Sequence, residues 1–191
     1  MNIEYEATFP DVDKEAIRRS LEKAGAKLVK PEFLQKRVVF HLPEGHEIRG
    51  AWARVRDESD KITMSLKIVD GDTIENQKEI CLTVDSFEQA ELFLTTLGCR
   101  KKSYQETKRE LWMMDDTEIT IDEWPFLNPF LEIEGKSEAS VKQATEKLGL
   151  NYVEALFGAV DIIYIHQYPH LTADRINKTP LIVFGGENPF L

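Results

Sequence analysis

Cysteine is scarce in this chain: only Cys81 and Cys99 occur, far apart and without a CxxC spacing. That excludes a disulfide-stapled scaffold and a cysteine zinc ribbon, and it fits two reduced thiols in a cytoplasmic protein. Histidine offers no alternative, since His41, His46, His166 and His170 show neither HxH nor HxxxH spacing and give zinc no ligand set. Apolar runs long enough for a membrane span are missing as well. The first residues lack a basic-then-apolar leader, because Asn2 to Phe9 alternates polar and apolar instead. Neither a P-loop nor a Gly-x-Ser-x-Gly elbow is present; Gly45 and Gly185-Gly186 read as loop glycines. Positive charge is in deficit, and a formal charge of -10 argues against indiscriminate nucleic-acid binding. It leaves an anionic ligand open, since clustered arginines and metal ions can hold phosphates inside an acidic protein.

What is present is period-two patterning. With 191 residues and 42% apolar content the chain suits one domain with a continuous core. Asn2 to Phe9 puts Asn2, Glu4, Glu6 and Thr8 on one strand face. Asp11 or Asp13 then caps a helix carrying Val12, Ile17, Leu21 and Ala24 on its apolar side, stopped by Gly25. The same plan returns at Glu79 to Val84, with a helix capped by Ser86, faced inward by Phe87, Ala90, Leu94 and Leu97, and stopped by Gly98. A third partial copy runs from Glu132-Ile133-Glu134 through a helix over 139–148 to Gly149. Gln35 to Phe40 echoes Thr107 to Trp112, which makes Arg37 and Arg109 equivalent. Further strands over 51–57, 61–69 and 117–124 bring the total to about eight antiparallel strands, enough to close a barrel around one ligand. The expected fold is α+β, a closed eight-stranded antiparallel barrel with helices outside. The spacing predicts a helix over 153–167 that completes a domain of residues 1–167. Residues 168–191 form an extension serving as plug, lid or oligomer contact.

Charge is sorted by strand. Glu4 and Glu6 share a face, as do Arg54 and Arg56, Glu132 and Glu134, and Thr63, Ser65 and Lys67. A solvated sheet face mixes its polar residues freely, whereas here each strand presents one sign of charge. Arginine suits phosphate because its planar fork donates two parallel hydrogen bonds. Carboxylate pairs meeting across a barrel can complete an oxygen shell for Mg²⁺ or Mn²⁺, and would repel one another without a metal. Trp112, Trp124 and Phe130 read as core or barrel-wall residues, and Cys81 as a small wall residue rather than a nucleophile.

This constellation resembles the CYTH superfamily, the triphosphate tunnel metalloenzymes that include class IV adenylate cyclases and thiamine triphosphatases. Its opening ExExK is matched by Glu4-Tyr5-Glu6-Ala7-Thr8, its RxR strand by Arg54-Val55-Arg56, and its lysine strand by Thr63 to Lys67. A later arginine is matched by Arg109, an aspartate strand by Ile121-Asp122-Glu123, and the closing ExE by Glu132-Ile133-Glu134. The matches run in order from residue 2 to about 150. The resemblance implies a triphosphate tunnel in which Arg37, Arg54, Arg56, Lys67 and Arg109 hold phosphates. Glu4, Glu6, Glu132 and Glu134 would hold Mg²⁺ or Mn²⁺, and Glu4, Glu6 and Asp122 would serve catalysis, Asp122 by orienting a ligand or a metal-bound water. Departures are Thr8 for the lysine of ExExK, Thr107 for a basic residue two before Arg109, and Cys81 for the second carboxylate of Glu79-Ile80-Cys81. They bear on rate more than on fold. The implied function is metal-dependent hydrolysis of inorganic, nucleoside or thiamine triphosphate. An adenylate cyclase making cyclic AMP and a non-catalytic triphosphate or polyphosphate binder are the alternatives. Neither nucleic acid nor membrane is an expected partner, and a homodimer is left open.

Overall fold

The structure, a computed structural model, describes residues 1–191. Its chain order is β1 (Asn2–Ile3), β2 (Tyr5–Phe9), α1 (Lys14–Lys23), β3 (Lys27–His41), β4 (Ala51–Asp57), β5 (Ile62–Val69) and β6 (Gln77–Val84). There follow α2 (Phe87–Thr96), β7 (Arg100–Met114), β8 (Thr117–Glu123), β9 (Phe130–Gly135), α3 (Glu138–Lys147), α4 (Asp161–Gln167), α5 (Ala173–Asn177) and β10 (Leu181–Ile182). One sheet joins them in the order β1-β6-β5-β4-β3-β7-β8-β9-β2. Because β1 and β2 are two halves of one N-terminal strand interrupted at Glu4, the two ends of that list meet. Asn2 pairs with Glu79 on β6, and Glu6 pairs with Glu134 on β9. Eight antiparallel strands therefore close into a ring, as the patterning predicts.

The three strand-helix units are built alike. Asp13, Ser86 and Ser137 each accept a hydrogen bond from a backbone N–H in the first turn of α1, α2 and α3. Each helix is followed by a left-handed glycine, Gly25 at φ +82°, Gly98 at +94° and Gly149 at +74°, a conformation that a Cβ would strain. The helices lie outside the ring over apolar residues of alternate parity. Ile17 and Leu21 of α1 and Val141 and Ala144 of α3 pack with Ala7, Phe9, Ile119, Ile121, Leu131 and Ile133. Ala90 and Leu94 of α2 pack over Val38, Phe40, Ala53 and Val55. Burying these odd or even positions outward forces the intervening charged positions inward, since strand side chains alternate.

Two local expectations are corrected. Leu97 stands 57% exposed rather than facing the core, because α2 ends at Thr96. The helix predicted over 153–167 forms only at Asp161–Gln167. Leu156 exchanges backbone hydrogen bonds with Thr8 at 3.0 and 2.8 Å, and Gly158 adopts φ +140°, so the chain there is extended before it turns. From α4 onward the chain packs against the barrel wall. Ile163, Tyr164, Leu171, Ile176, Ile182 and Phe190 share an apolar cluster with Trp124, Leu127 and Phe130. β10 lies parallel to β7 at Tyr104 and Gln105, beyond the reach of β8, which ends opposite Lys108. No helix is long and apolar enough to cross a membrane.

Candidate functional site

The barrel interior holds a cavity of about 180 Å³ accessible to water. It is bordered by Glu4, Glu6, Arg37, Arg54, Arg56, Lys67, Arg109, Glu132 and Glu134 among others. Every phosphate and metal candidate named from the sequence thus reaches one space, as their shared strand parity requires. The cavity is polarised. Its acidic end continues to a second opening that shares Glu4, Glu79, Glu118 and Glu134 with it and adds Asp116. Its opposite end is walled by Gly158 to Asp161, Ile176, Asn177 and Ile182 of the C-terminal segment.

At the acidic end register alone crowds the carboxylates. Glu134 lies between Glu6 on one neighbouring strand and Glu118 on the other, and Glu132 lies between Thr8 and Thr120. Burial, with the Glu6 and Glu4 charges next, pushes Glu134 up to about 8. Burial likewise raises Glu4 to about 7 against the pull of Lys67, and holds Glu132 well above the carboxylate range, with Glu6 and Asp122 adding to the effect. Lys67 relieves part of this crowding. Its ammonium lies 2.9 Å from Glu4 Oε2, within ion-pair distance though outside hydrogen-bond geometry, and 3.7 Å from Glu6 Oε1. Arg54 donates to Glu79 at 2.8 Å. Burial alone would raise Glu79, but Arg54 leads the effects that bring it down to about 2.

Arg109 is fully answered by acid. Its Nε and Nη2 donate to the two oxygens of Asp122 at 2.7 and 2.8 Å, and Nη2 also donates to Glu132 at 2.5 Å. Arg56 pairs with Glu58 at 2.8 Å, and burial followed by the nearby Arg54 charge lowers it to about 10. Arg37 is different. It is 5% exposed and donates only to neutral oxygens, Gln35 Oε1 at 2.9 Å and Thr107 Oγ1 at 2.6 Å. Its guanidinium stacks on Trp124, 4.7 Å from the ring centre. Arg37 Nε, Arg54 Nε and Gln35 Nε2 are buried donors with no acceptor. Burial, with Arg54, Arg56 and Arg109 adding like charge, drives the Arg37 pKa well below its ordinary value.

Asp122 departs from its expected place. It is fully buried, outside the cavity lining, with its carboxylate taken up by Arg109 and by the Thr120 hydroxyl at 2.7 Å. It stands behind Arg109 and orients it. Thr107, where the resembling family has a cation, braces Arg37 and Gln35 instead. Thr8 is buried on the Glu6 side of β2. Cys81 is exposed at the acidic opening, its thiol pushed up by burial and by Glu79, which does not favour a nucleophile. Lys108 points outward to Glu123 at 3.1 Å, as alternation requires. Sequence reasoning named Glu79 only for its missing partner and passed over Glu118, although Glu118 shares the parity of Asp122. It also missed Lys102, Asp161 and Asn177, which reach the cavity through a bulge and a tertiary contact, and Trp124, which faces the cavity as well as the core.

Residues 2–157 match the family description "CYTH domain". No curated protein matches the sequence. Among solved structures, a Pyrococcus horikoshii OT3 protein superposes with TM-score 0.66 at 22% identity, covering 80% of this chain and 93% of its own. A candidate adenylate cyclase from Vibrio parahaemolyticus superposes with TM-score 0.72 at 11% identity, covering 85% and 97%. A Hippeastrum protein, named as a candidate adenylyl cyclase and described as having a dominant triphosphatase activity, gives TM-score 0.56 at 12% identity, covering 89% and 98%. At these identities the likeness is one of fold.

Proposed function

Because the chain belongs to the CYTH domain family, we propose that its lumen binds a triphosphate-bearing small molecule together with Mg²⁺ or Mn²⁺ and hydrolyses it. The observation that carries this reading is Arg37, a buried cation without an acidic partner, beside Arg54 and Arg56 and among donors that lack acceptors. Buried unpaired charge is costly, and a polyanion is the ligand that would answer it. In this reading Arg37, Arg54, Arg56, Lys67 and Arg109 hold the phosphates.

The donor set also suits a hard divalent ion. Glu4, Glu6, Glu132 and Glu134 supply only oxygen, and three of them are held above the carboxylate range by burial, with neighbouring carboxylate charge adding to it. As the side chains stand, no three acidic groups converge on one point, because Lys67 and Arg109 occupy them. A phosphate chain drawing Lys67 and Arg109 toward itself would release Glu4, Glu6 and Glu132, so ligand and metal favour each other. A bound metal ion supplies charge neutralisation along the phosphates and acidifies a water. Glu4 and Glu6 would hold the ion, and the arginines would stabilise charge on the equatorial oxygens while water adds to phosphorus, the bridging P–O bond breaks and the proton of the water passes to solvent. Asp122 keeps Arg109 in position.

The test is an assay of the purified protein with ATP, thiamine triphosphate and inorganic triphosphate, each with Mg²⁺ and Mn²⁺. Orthophosphate release is the expected result. Cyclic AMP with pyrophosphate would replace the hydrolase by a cyclase. Tight binding without turnover would assign a binder, the reading favoured by Thr107, a hydroxyl engaged with Arg37 and Gln35 where a cation is expected. Failure to bind any of the three ends the proposal.

A further inference from the structure

Closure of the ring leaves one strand edge uncovered. β1 pairs with β6 only at Lys78 and Glu79, and the Glu4 N–H donates to the Gln77 carbonyl at 3.0 Å. That bond shows which way the β6 backbone faces. Successive residues of a strand aim their N–H and C=O groups at opposite neighbours, so Gln77, Glu79, Cys81 and Thr83 turn theirs away from β5. No strand pairs with Cys81 or Thr83 on that side, and Ile80, Cys81, Leu82 and Thr83 are exposed in succession. Native proteins guard such an edge with a charge, a proline or a bulge. Ile80 to Val84 contain no charge and no proline, and β6 follows β5 without a register shift.

The outer face beside this edge is apolar. Met64 lies opposite Leu82, Leu66 opposite Ile80, and Ile3 opposite Lys78. α2 presents Glu91 to Lys101 of β7, so Phe93 and, just past the helix end, Leu97 take the other flank, toward β5 and β6. Ile3, Ile80, Leu82, Phe93 and Leu97 are each 42% to 57% exposed. Together they form an apolar patch on the order of 500 Å², at the upper end of what a monomer leaves in water.

We infer that a second copy of this chain docks on the β6 edge, by antiparallel pairing about a two-fold axis beside Leu82. The edge is complementary to itself. Cys81 of one copy faces Thr83 of the other, and the reverse, so both N–H groups and both carbonyls of each edge are answered. Leu82 then meets Leu82 on the outer face. Charge selects the same strip: a formal charge of -10 opposes self-association, and Ile80 to Val84 let two copies approach without setting like charges together. The apolar patch with the backbone strip approaches the roughly 800 Å² per partner that a stable dimer buries. The inference does not depend on what the lumen binds.

Sedimentation equilibrium of the full chain tests it, with a dimer of Kd about 10 µM or tighter expected. Thr83→Pro removes a donor that no bond within the chain uses, and Leu82→Lys sets like charges face to face. Each should raise Kd at least about tenfold with the circular dichroism unchanged. In a Cys81→Ser background, Leu82→Cys should form an intermolecular disulfide on mild oxidation and Ile80→Cys should not. Opposed residues outside the hydrogen-bonded pairs stand about 4.5 Å apart at Cα, within disulfide reach. A chain that stays monomeric, with or without an extended peptide of another protein on the edge, overturns the inference, as does a dimer that both substitutions leave intact. Weakening by Leu82→Lys alone assigns the contact to the apolar face and overturns the strand pairing. If either variant misfolds, the cross-link decides, and a disulfide through Ile80→Cys in place of Leu82→Cys contradicts the two-fold beside Leu82.

Discussion

Arg37 and Arg109 occupy equivalent places in two copies of one strand-helix-strand unit, on strands that pair with each other, yet their surroundings are opposite. Arg109 meets Asp122 and Glu132, and those partners together with the Glu6 charge hold its pKa well above the ordinary value despite burial. Arg37 meets an amide, a hydroxyl and an indole. The difference lies in what the closed ring places nearby. Arg109 faces β8, which carries Asp122, whereas Arg37 faces β4, which carries Arg56 opposite it. Equivalent residues can therefore meet unlike surroundings: one is committed to an internal acid pair, the other is left without an acidic partner.

The widest contrast is expected from replacing each arginine by methionine. Arg37→Met should lower triphosphate affinity about a hundredfold or more, as loss of a desolvated charge contact does, while leaving the ligand-free fold as stable or more stable. Arg109→Met should instead cost about 3–5 kcal/mol, because it strands the buried Asp122. Urea unfolding alongside calorimetry reads both quantities, and equal destabilisation by the two changes would erase the distinction.

Next in size, Glu132→Gln should weaken Mg²⁺ or Mn²⁺ binding by about tenfold or more with the fold retained, since an amide is a poor ligand for a hard ion. Titration of the metal in the presence of a triphosphate measures it, and an unchanged affinity removes Glu132 from the metal set.

A smaller effect concerns pH. Glu4 and Glu134 bind protons more tightly folded than unfolded, so the native state carries more protons between the ordinary glutamate value, near 4.5, and about 7 to 8. Stability should therefore fall as pH rises through that window and level off above it. Divalent metal should flatten the slope by taking the protons' place. Thermal unfolding from pH 5 to 9 with and without Mg²⁺ tests this, and a melting temperature that rises across the window contradicts it.

The smallest expected change is a gain. Thr8→Lys places an ammonium beside Glu132, on the strand face that carries Glu4 and Glu6, and should tighten triphosphate binding about threefold. Loss of binding in a folded variant would mean that Thr8 belongs to a differently built pocket.

Alternation alone made most of the barrel legible. Once Ala7, Phe9, Ala53, Val55, Leu131 and Ile133 are assigned to a core, Glu4, Glu6, Arg54, Arg56, Glu132 and Glu134 must face the other way, and caps and glycines mark where each helix starts and stops. The sequence by itself therefore determined the fold class, the duplicated unit and the arginines, Lys67 and the two glutamate pairs of the lumen, because these depend on local periodicity. Tertiary structure decided who meets whom. Register across the ring gave Arg109 its acids and denied them to Arg37, buried Asp122 behind Arg109, and set Glu118 beside Glu134. A one-residue bulge aimed Lys102 inward, and the packing of residues 158–182 against the barrel brought Asp161 and Asn177 to it. Those contacts join positions 59 to 75 residues apart in the chain, and no local pattern encodes a pairing that only ring closure brings within reach.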